Sequence, residues 1–334
     1  MLLKTINLEI ELKRILFRCD SSSTIGLGHV KRCLVLAKRL KECNKNLKIL
    51  FATQNLHGNI NQEILKSGFS IYSISNNSVQ MLDYFVKGLQ INFLIIDSYD
   101  INYVFEEQLK IKNPNLRILS FDDMIKPHCA DIVINHGIQA KEKEYKKILS
   151  KDTKLFCGSE YTLLRDEFLE TKKTKVTRNS VAIILGGNDI LNLTSKIVDL
   201  LLEINNKYKI TVITTSVNPN IDKLNPKLEI LIDISNIAQI LSSKELIICS
   251  SSGALFEVMA LKKKFINIEV AENQKIVGEF LQRKKIKTTI KAKDLTKEVL
   301  KTKIEYVKRS NSYKKLALKF AKNRLAKRIL KELK

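Results

Sequence analysis

RILFRCDSSSTIGLGHVKRCLVLAKRL, residues 14–40, decides how the rest of the chain is read. Its first six residues, Arg14–Cys19, are a short apolar run that stops before a turn containing glycines. A parallel strand covered on both faces reads this way. Beyond the glycines, Val30, Leu34, Leu36, Ala37 and Leu40 fall at helical spacing. Strand, polar glycine turn and helix make one unit of a parallel α/β sheet.

Working outward, the unit recurs. Residues 47–52 (LKILFA) read as a strand, and a helix near residues 60–67 ends at Gly68, a C′ glycine. Residues 93–96 (FLII) deliver Asp97 and Tyr99 to a strand's carboxyl end. Arg117–Phe121 delivers Asp122 and Asp123 in the same way, and residues 132–134 follow. After a charged stretch at 170–179 the pattern restarts. Residues 180–185 (SVAIIL) run into Gly186-Gly187-Asn188, and a helix covers Leu193–Ile204. Strands at 210–214, Glu229–Ile232, 246–249 and 265–268 complete the second half, with Ser250-Ser251-Ser252-Gly253 opening a helix over 254–261. The fold class is therefore α/β, with two Rossmann-like doubly wound domains at residues 1–170 and 171–285 and a basic helical C-terminal extension at 286–334. Ligands of such sheets bind beyond the carboxyl ends of the strands. Those ends carry Asp97, Tyr99, Asn188 and the Ser/Gly loop.

The composition supports a folded chain. Of 334 residues, 44% are hydrophobic and 28% charged. The formal charge of +23 suggests nucleic acid, but residues 284–334 carry +15 of it, so the body is only mildly basic. Six cysteines with no C-x-x-C pair read as buried, reduced thiols of a cytoplasmic protein. Residues 1–16 alternate charged and apolar side chains, unlike a signal peptide. No run approaches the roughly 20 apolar residues of a membrane span.

The chemistry concentrates in residues 19–32, CDSSSTIGLGHVKR. Backbone N–H groups at a helix start favour an anion. Gly26 and Gly28 allow close approach of a substrate. His29 falls near the first helical position, where the positive helix end disfavours a protonated imidazole and leaves a proton acceptor. A polar turn whose histidine merely caps its helix fits the same spacing. Lys31 stands where a dinucleotide fingerprint needs its third glycine, and no G-K-[ST] of a P-loop occurs. Ser21–Ser23 lack the setting of a nucleophile elbow.

Residues 250–257, SSSGALFE, suit a diphosphate at a helix start, with Glu257 one turn in and within reach of ribose hydroxyls. An ordinary N-cap followed by an exposed glutamate reads the same. Gly186-Gly187-Asn188-Asp189 carries the same ambiguity. His57 lies in a polar loop, and His128 and His136 flank an apolar strand. No His, Cys or Asp spacing matches a metal site and no D-x-D occurs, so neither metal nor cofactor is expected.

Taken together, RCDSSSTIGLGHVKRCLVLAKRL (18–40), IIDSYDI (95–101), ILSFDDMIKPHCADIVIN (118–135), CGSEYTLLRDEF (157–168), LGGNDILNL (185–193) and ENQ (272–274) resemble the UDP-2,4-diacetamido-2,4,6-trideoxy-β-L-altropyranose hydrolase family. The resemblance runs from about residue 14 to 285. It implies the two-domain GT-B fold and a cytoplasmic, metal-independent hydrolase of pseudaminic acid biosynthesis, the sugar route of flagellin glycosylation. It implies release of UDP and free sugar with inversion. On the residues of this chain it implies His29 as general base, with Gly28, Asp97, Tyr99, Asn188, Asn273 and Gln274 at the sugar. Gly187, Ile232, Ser251, Ser252 and Glu257 are implied at UDP, and Arg18 and Asp20 as supports of the loop. UDP is a good leaving group, so no dedicated acid is required.

Two other functions fit the same residues. One is an inverting UDP-sugar glycosyltransferase on the same fold. The other is a binder of anionic surfaces or nucleic acid through residues 286–334, where apolar residues from Leu316 to Leu333 leave a helical stripe among lysines. An exposed basic tail helix is the expectation for that segment, with at most weak contact to an anionic surface. A UDP-sugar is the expected partner, without nucleic acid or a membrane span. The lack of an apolar surface helix points to a monomer.

Overall fold

Ile15, Leu16 and Phe17 are fully buried in strand β1 (Arg14–Cys19), as a strand covered on both faces requires. The computed structural model describes residues 13–172, 174–316 and 318–333. Residues 1–12, most of the stretch read as lacking a leader, lie outside them. The first sheet continues with β2 (Lys48–Thr53), β3 (Ser70–Ser73), β4 (Phe93–Asp97), β5 (Arg117–Phe121), β6 (Ile132–Asn135) and β7 (Lys154–Cys157). Its order is β3-β2-β1-β4-β5-β6-β7, and every pairing is parallel. The second sheet comprises β8 (Ser180–Ile184), β9 (Lys209–Thr214), β10 (Glu229–Ile232), β11 (Leu246–Ser250), β12 (Phe265–Glu269) and β13 (Thr289–Lys291). Its order is β10-β9-β8-β11-β12-β13, again parallel.

Each sheet has a switch point where the chain reverses its direction of winding. In the first it lies between β1 and β4, and in the second between β8 and β11. Such points open a crevice at the strands' carboxyl ends. Register fixes what meets there: Cys19 pairs with Asp97, so the loop after β1 leaves the sheet beside the acid that ends β4. Cys249 pairs with Ile184, which brings the glycine loop after β8 beside the serines after β11.

The helix Gly28–Cys43 packs Val30, Cys33, Leu34, Ala37 and Leu40 onto the first sheet. Gly68 has φ +83°, which ends the helix Asn61–Lys66. All six cysteines are free, but Cys43, Cys129 and Cys157 are only half-buried, so the reading of six buried thiols holds for Cys19, Cys33 and Cys249. No helix of the described residues is long and apolar enough to cross a membrane.

The C-terminal segment departs from the exposed tail that its lysines suggest. Strand β13 pairs with β12 inside the second sheet. The helix Lys297–Arg309 buries Leu300, Ile304 and Val307 against that sheet. The chain then returns to the first domain, where the helix Arg324–Glu332 buries Leu325, Ala326 and Ile329 in the core under the helix Gly28–Cys43. Arg324 pairs with Glu160 at 3.0 Å and Lys154 with Glu332 at 2.5 Å. Apolar residues one helical turn apart face the core while the lysines face water, so local charge density hid an integral part of both domains.

Candidate functional site

The loop after β1 is built by short-range hydrogen bonds. Ser22 and Gly26 close it through an isolated bridge, and the Ser22 hydroxyl accepts from the Ile25 amide at 2.9 Å. Gly26 sits at φ +87°, where a side chain would be strained. Beneath it Arg18, fully buried, reaches Asp20 at 2.7 Å, the Ala52 carbonyl at 3.2 Å and Asn77 at 2.8 Å. The loop thus rests on a satisfied ion pair and hands the chain to the helix at Gly28. Gly28 is exposed, with open space where a Cβ would lie.

His29 and Arg32 stand three residues apart on one helix face, above the end of β4. Asp97 Oδ1 lies 2.5 Å from His29 Nδ1 and 2.5 Å from Arg32 Nη2, and Arg32 Nε donates to Asp97 Oδ2 at 2.5 Å. The carboxylate acceptor places a proton on His29 Nδ1 and leaves Nε2 as the accepting nitrogen. Arg32 Nη1 also donates to both oxygens of Asp123 at 2.9 Å and to His136 Nε2 at 2.9 Å. Tyr99 donates to Asp123 Oδ2 at 2.8 Å, and its ring meets the His29 imidazole edge-on at 4.7 Å.

Burial raises the Asp97 carboxyl, but Arg32 and His29 outweigh it and hold Asp97 well below the usual carboxylate range. Asp123 is lowered in the same way, chiefly by Arg32 acting against burial. Burial pushes the Tyr99 phenol up, reinforced by Asp123. Burial, and then the Arg32 cation, push His136 down to about 4, so it accepts from Arg32 as a neutral ring. Arg32 and the two aspartates are thus charged, one cation between two anions, and the imidazole stands against them.

The second domain meets this network across the crevice. Asn273, in the 3-10 turn Glu272–Gln274, donates to the Tyr99 hydroxyl at 2.9 Å. Asn188 donates to the Ser22 carbonyl at 2.8 Å, while its buried Oδ1 finds no partner among the described residues. A Cβ on Gly187 would sit 2.2 Å from a Leu27 methyl, so glycine permits the approach of the two loops. Asp189 caps the helix Leu193–Ile204 through the Leu193 and Thr194 amides, both at 2.9 Å. Ser252 opens the helix Gly253–Ala260 without capping it by its side chain, which leaves the first amides of that helix for a ligand. Glu257 lies in this helix and is held by Arg165.

The structure therefore gathers His29, Gly28, Tyr99, Asn188, Gly187 and Asn273 at the crevice, with Ser252 and Glu257 on its far wall. It treats three expected residues, Asp97, Ser251 and Gln274, differently. Asp97 is 1% exposed with both oxygens occupied, so it supports the base instead of touching a sugar. Ser251 is buried, its amide bonded to the Ile268 carbonyl and its hydroxyl to Asn267, so it braces the loop from inside. Gln274 is 8% exposed and accepts from the Val270 amide at 3.0 Å, fixing the turn that presents Asn273. Ile232 ends the edge strand β10 and is 42% exposed. Sequence reasoning missed Arg32 and Arg165 and left His136 and Asp123 without a role. The i,i+3 spacing from His29 was a usable signal for Arg32. Among the described residues no group of three or more His, Cys, Asp or Glu is placed to hold a metal ion.

No family model matches the chain. Its relatives are informative. The chain is 34% identical over 278 residues to the UDP-2,4-diacetamido-2,4,6-trideoxy-β-L-altropyranose hydrolase of Campylobacter jejuni, covering 81% of this chain and 97% of that protein. It is 29% identical over 259 residues to an uncharacterised protein of Methanocaldococcus jannaschii, covering 72% of this chain and 52% of that one. Among solved structures it is similar to MurG of Acinetobacter baumannii, with TM-score 0.61 and 14% identity over 96% of this chain and 99% of that one. It is also similar to the glycotransferase of kitacinnamycin, with TM-score 0.68 and 11% identity over the same shares. These structures show the two-domain GT-B fold. By the identity and coverage of its Campylobacter relative, the chain belongs to the UDP-2,4-diacetamido-2,4,6-trideoxy-β-L-altropyranose hydrolase family.

Proposed function

We propose that the chain hydrolyses UDP-2,4-diacetamido-2,4,6-trideoxy-β-L-altropyranose at the anomeric C–O bond, releasing UDP and the free sugar with inversion. The observation that carries the mechanism is the His29–Asp97 pair at the first switch point, facing amides and hydroxyls at the second. Asp97, anchored by Arg32, holds the Nδ1–H tautomer of His29 and stabilises the imidazolium that forms. His29 Nε2 takes a proton from a water on the sugar face opposite UDP. The first amides of the helix Gly253–Ala260 receive the negative charge that develops on the leaving diphosphate. Tyr99 and Asn273, which meet above His29, contact the sugar from the two domains. Asn188 and the loop beside Gly28 complete that wall, and Glu257 takes the ribose.

The same proposal places the enzyme in pseudaminic acid synthesis, as a cytoplasmic monomer that needs no metal, nucleic acid or membrane partner. NMR of the purified protein with the UDP-sugar and no acceptor tests it. Free sugar of inverted configuration accumulates beside UDP, and EDTA leaves the rate unchanged. A requirement for an acceptor alcohol would assign the protein to glycosyl transfer instead. Undiminished hydrolysis by His29→Ala would remove the base.

A further inference from the structure

Among the described residues the chain crosses between domains twice, and both crossings meet at one place. In the first, residues 159–170, Tyr161 packs in the first domain's core while Leu164 and Phe168 pack in the second's. In the second crossing, Lys322 pairs with Asp166 at 3.0 Å and Glu170 at 2.6 Å. Arg39, from the helix Gly28–Cys43, bonds the Leu164 carbonyl at 3.4 Å and pairs with Asp166. Between these anchors lies Arg165. Its guanidinium forks onto Glu257, Nε to Oε1 at 2.8 Å and Nη2 to Oε2 at 3.0 Å. The guanidinium is itself held by Glu167 at 2.9 Å and lies 4.8 Å over the Phe168 ring. Glu167 in turn accepts from the Ala238 amide at 3.0 Å.

We propose that Arg165 is a positioning residue: from the hinge it orients the Glu257 carboxylate for the ribose hydroxyls of the nucleotide, and so ties nucleotide affinity to the junction of the domains. This rests on the ribose role of Glu257 proposed above. A carboxylate has about four acceptor sites. The fork takes one on each oxygen and leaves one on each for a vicinal diol. It also removes the rotamer freedom of a glutamate that would otherwise be ordered only on binding. Burial disfavours the Arg165 charge, yet Glu257 outweighs it and raises its affinity for the proton, so the guanidinium stays charged.

The test is calorimetric binding of UDP and 2′-deoxy-UDP to the full chain, with steady-state kinetics alongside. Wild type prefers UDP by about tenfold, as an unmade hydrogen bond to a charged group implies. In Arg165→Met, UDP affinity falls about tenfold, KM rises to match, and kcat stays within about threefold. The preference for UDP over the deoxy nucleotide collapses towards one. Arg165→Gln, which keeps polarity without the fork, reads the same ratio should the methionine variant fail to fold. A merely structural role weakens both nucleotides equally and keeps the ratio, and that result overturns the proposal. If wild type binds the two nucleotides alike, the ribose role of Glu257 falls first and Arg165 with it. That failure is distinct, because it shows before any substitution is made.

Discussion

Beyond β1 and β4 the first domain brings His29, Arg32, Asp97 and Asp123 within hydrogen-bonding distance of one another. Beyond β8 and β11, at the matching place in the second domain, stand Gly186, Gly187, Asn188, Ser252 and Gly253, with Glu257 set back in the helix. The topology is the same and the chemistry is opposite. A base needs a fixed tautomer and a compensating charge, which only a buried and fully paired network supplies. A diphosphate needs dipoles aimed at it without a nearby anion, and glycines and helix amides supply these. On the mechanism proposed above, the first domain would set kcat and the second KM.

Substitutions can break that division. The largest effect is expected from His29→Ala. It lowers kcat by about 10³-fold, within the range for general-base catalysis, and leaves KM within a few-fold, measured as UDP release. Asp97→Asn comes next. It frees the His29 tautomer and removes one of the two carboxylates that hold Arg32, so kcat falls about 10²-fold and the thermal midpoint drops with it.

His136→Gln sharpens the comparison through pH. His136 titrates near 4 in the fold, pushed down by burial and then by Arg32, against about 6.5 when unfolded. Between those values the unfolded chain binds a proton that the folded chain refuses. The contribution of His136 to stability is therefore full above pH 6.5 and is lost as the pH drops toward 4, by on the order of 3 kcal/mol. Glutamine keeps an acceptor for Arg32 but does not titrate. Denaturant midpoints of the variant should lose this slope, and a slope equal to wild type would show that His136 is not its source. The smallest effect is expected from Glu257→Gln, which raises KM about tenfold at nearly constant kcat. A loss of kcat as deep as that of Asp97→Asn would end the division of labour.

Much of this was legible in the sequence. Strands covered on both faces announce themselves as apolar runs, so β1, β4, β5, β8 and β11 were read to within a residue at either end. Strand β3 was not, because Ser70–Ser73 offers only two apolar residues between two serines. The helices Val79–Gly88 and Tyr103–Lys112 escaped notice, although Ser78 and Asn102 cap them by accepting from the Met81 and Phe105 amides. Leu300, Ile304 and Val307 carry correct helical spacing, yet the surrounding lysines drew the reading toward an exposed tail. At the site, residue types and strand ends singled out His29 and Asp97. Their relation did not follow, because it depends on register across the sheet. Asp122 and Asp123 show the limit most clearly. They leave β5 on opposite sides: Asp122 turns to Tyr145 at 2.6 Å while Asp123 turns to Arg32. A period of two separates them, but only the packed helix tells which side holds the chemistry.

The return of the helix Arg324–Glu332 to the first domain bears on how the protein is made. During synthesis, residues 13–157 emerge with all seven strands of the first sheet, but the apolar groove against the helix Gly28–Cys43 stays empty until residues 324–332 follow. The domain that emerges first is thus finished last, after the other domain has had time to fold. A chain halted between residues 310 and 323 would expose that groove at the base of the histidine-bearing helix. Such fragments should be recognised by chaperones and proteases while carrying the loop and the acid nearly complete. Quality control on this protein is written into its topology, since the helix Arg324–Glu332 closes the core beneath the much earlier helix Gly28–Cys43.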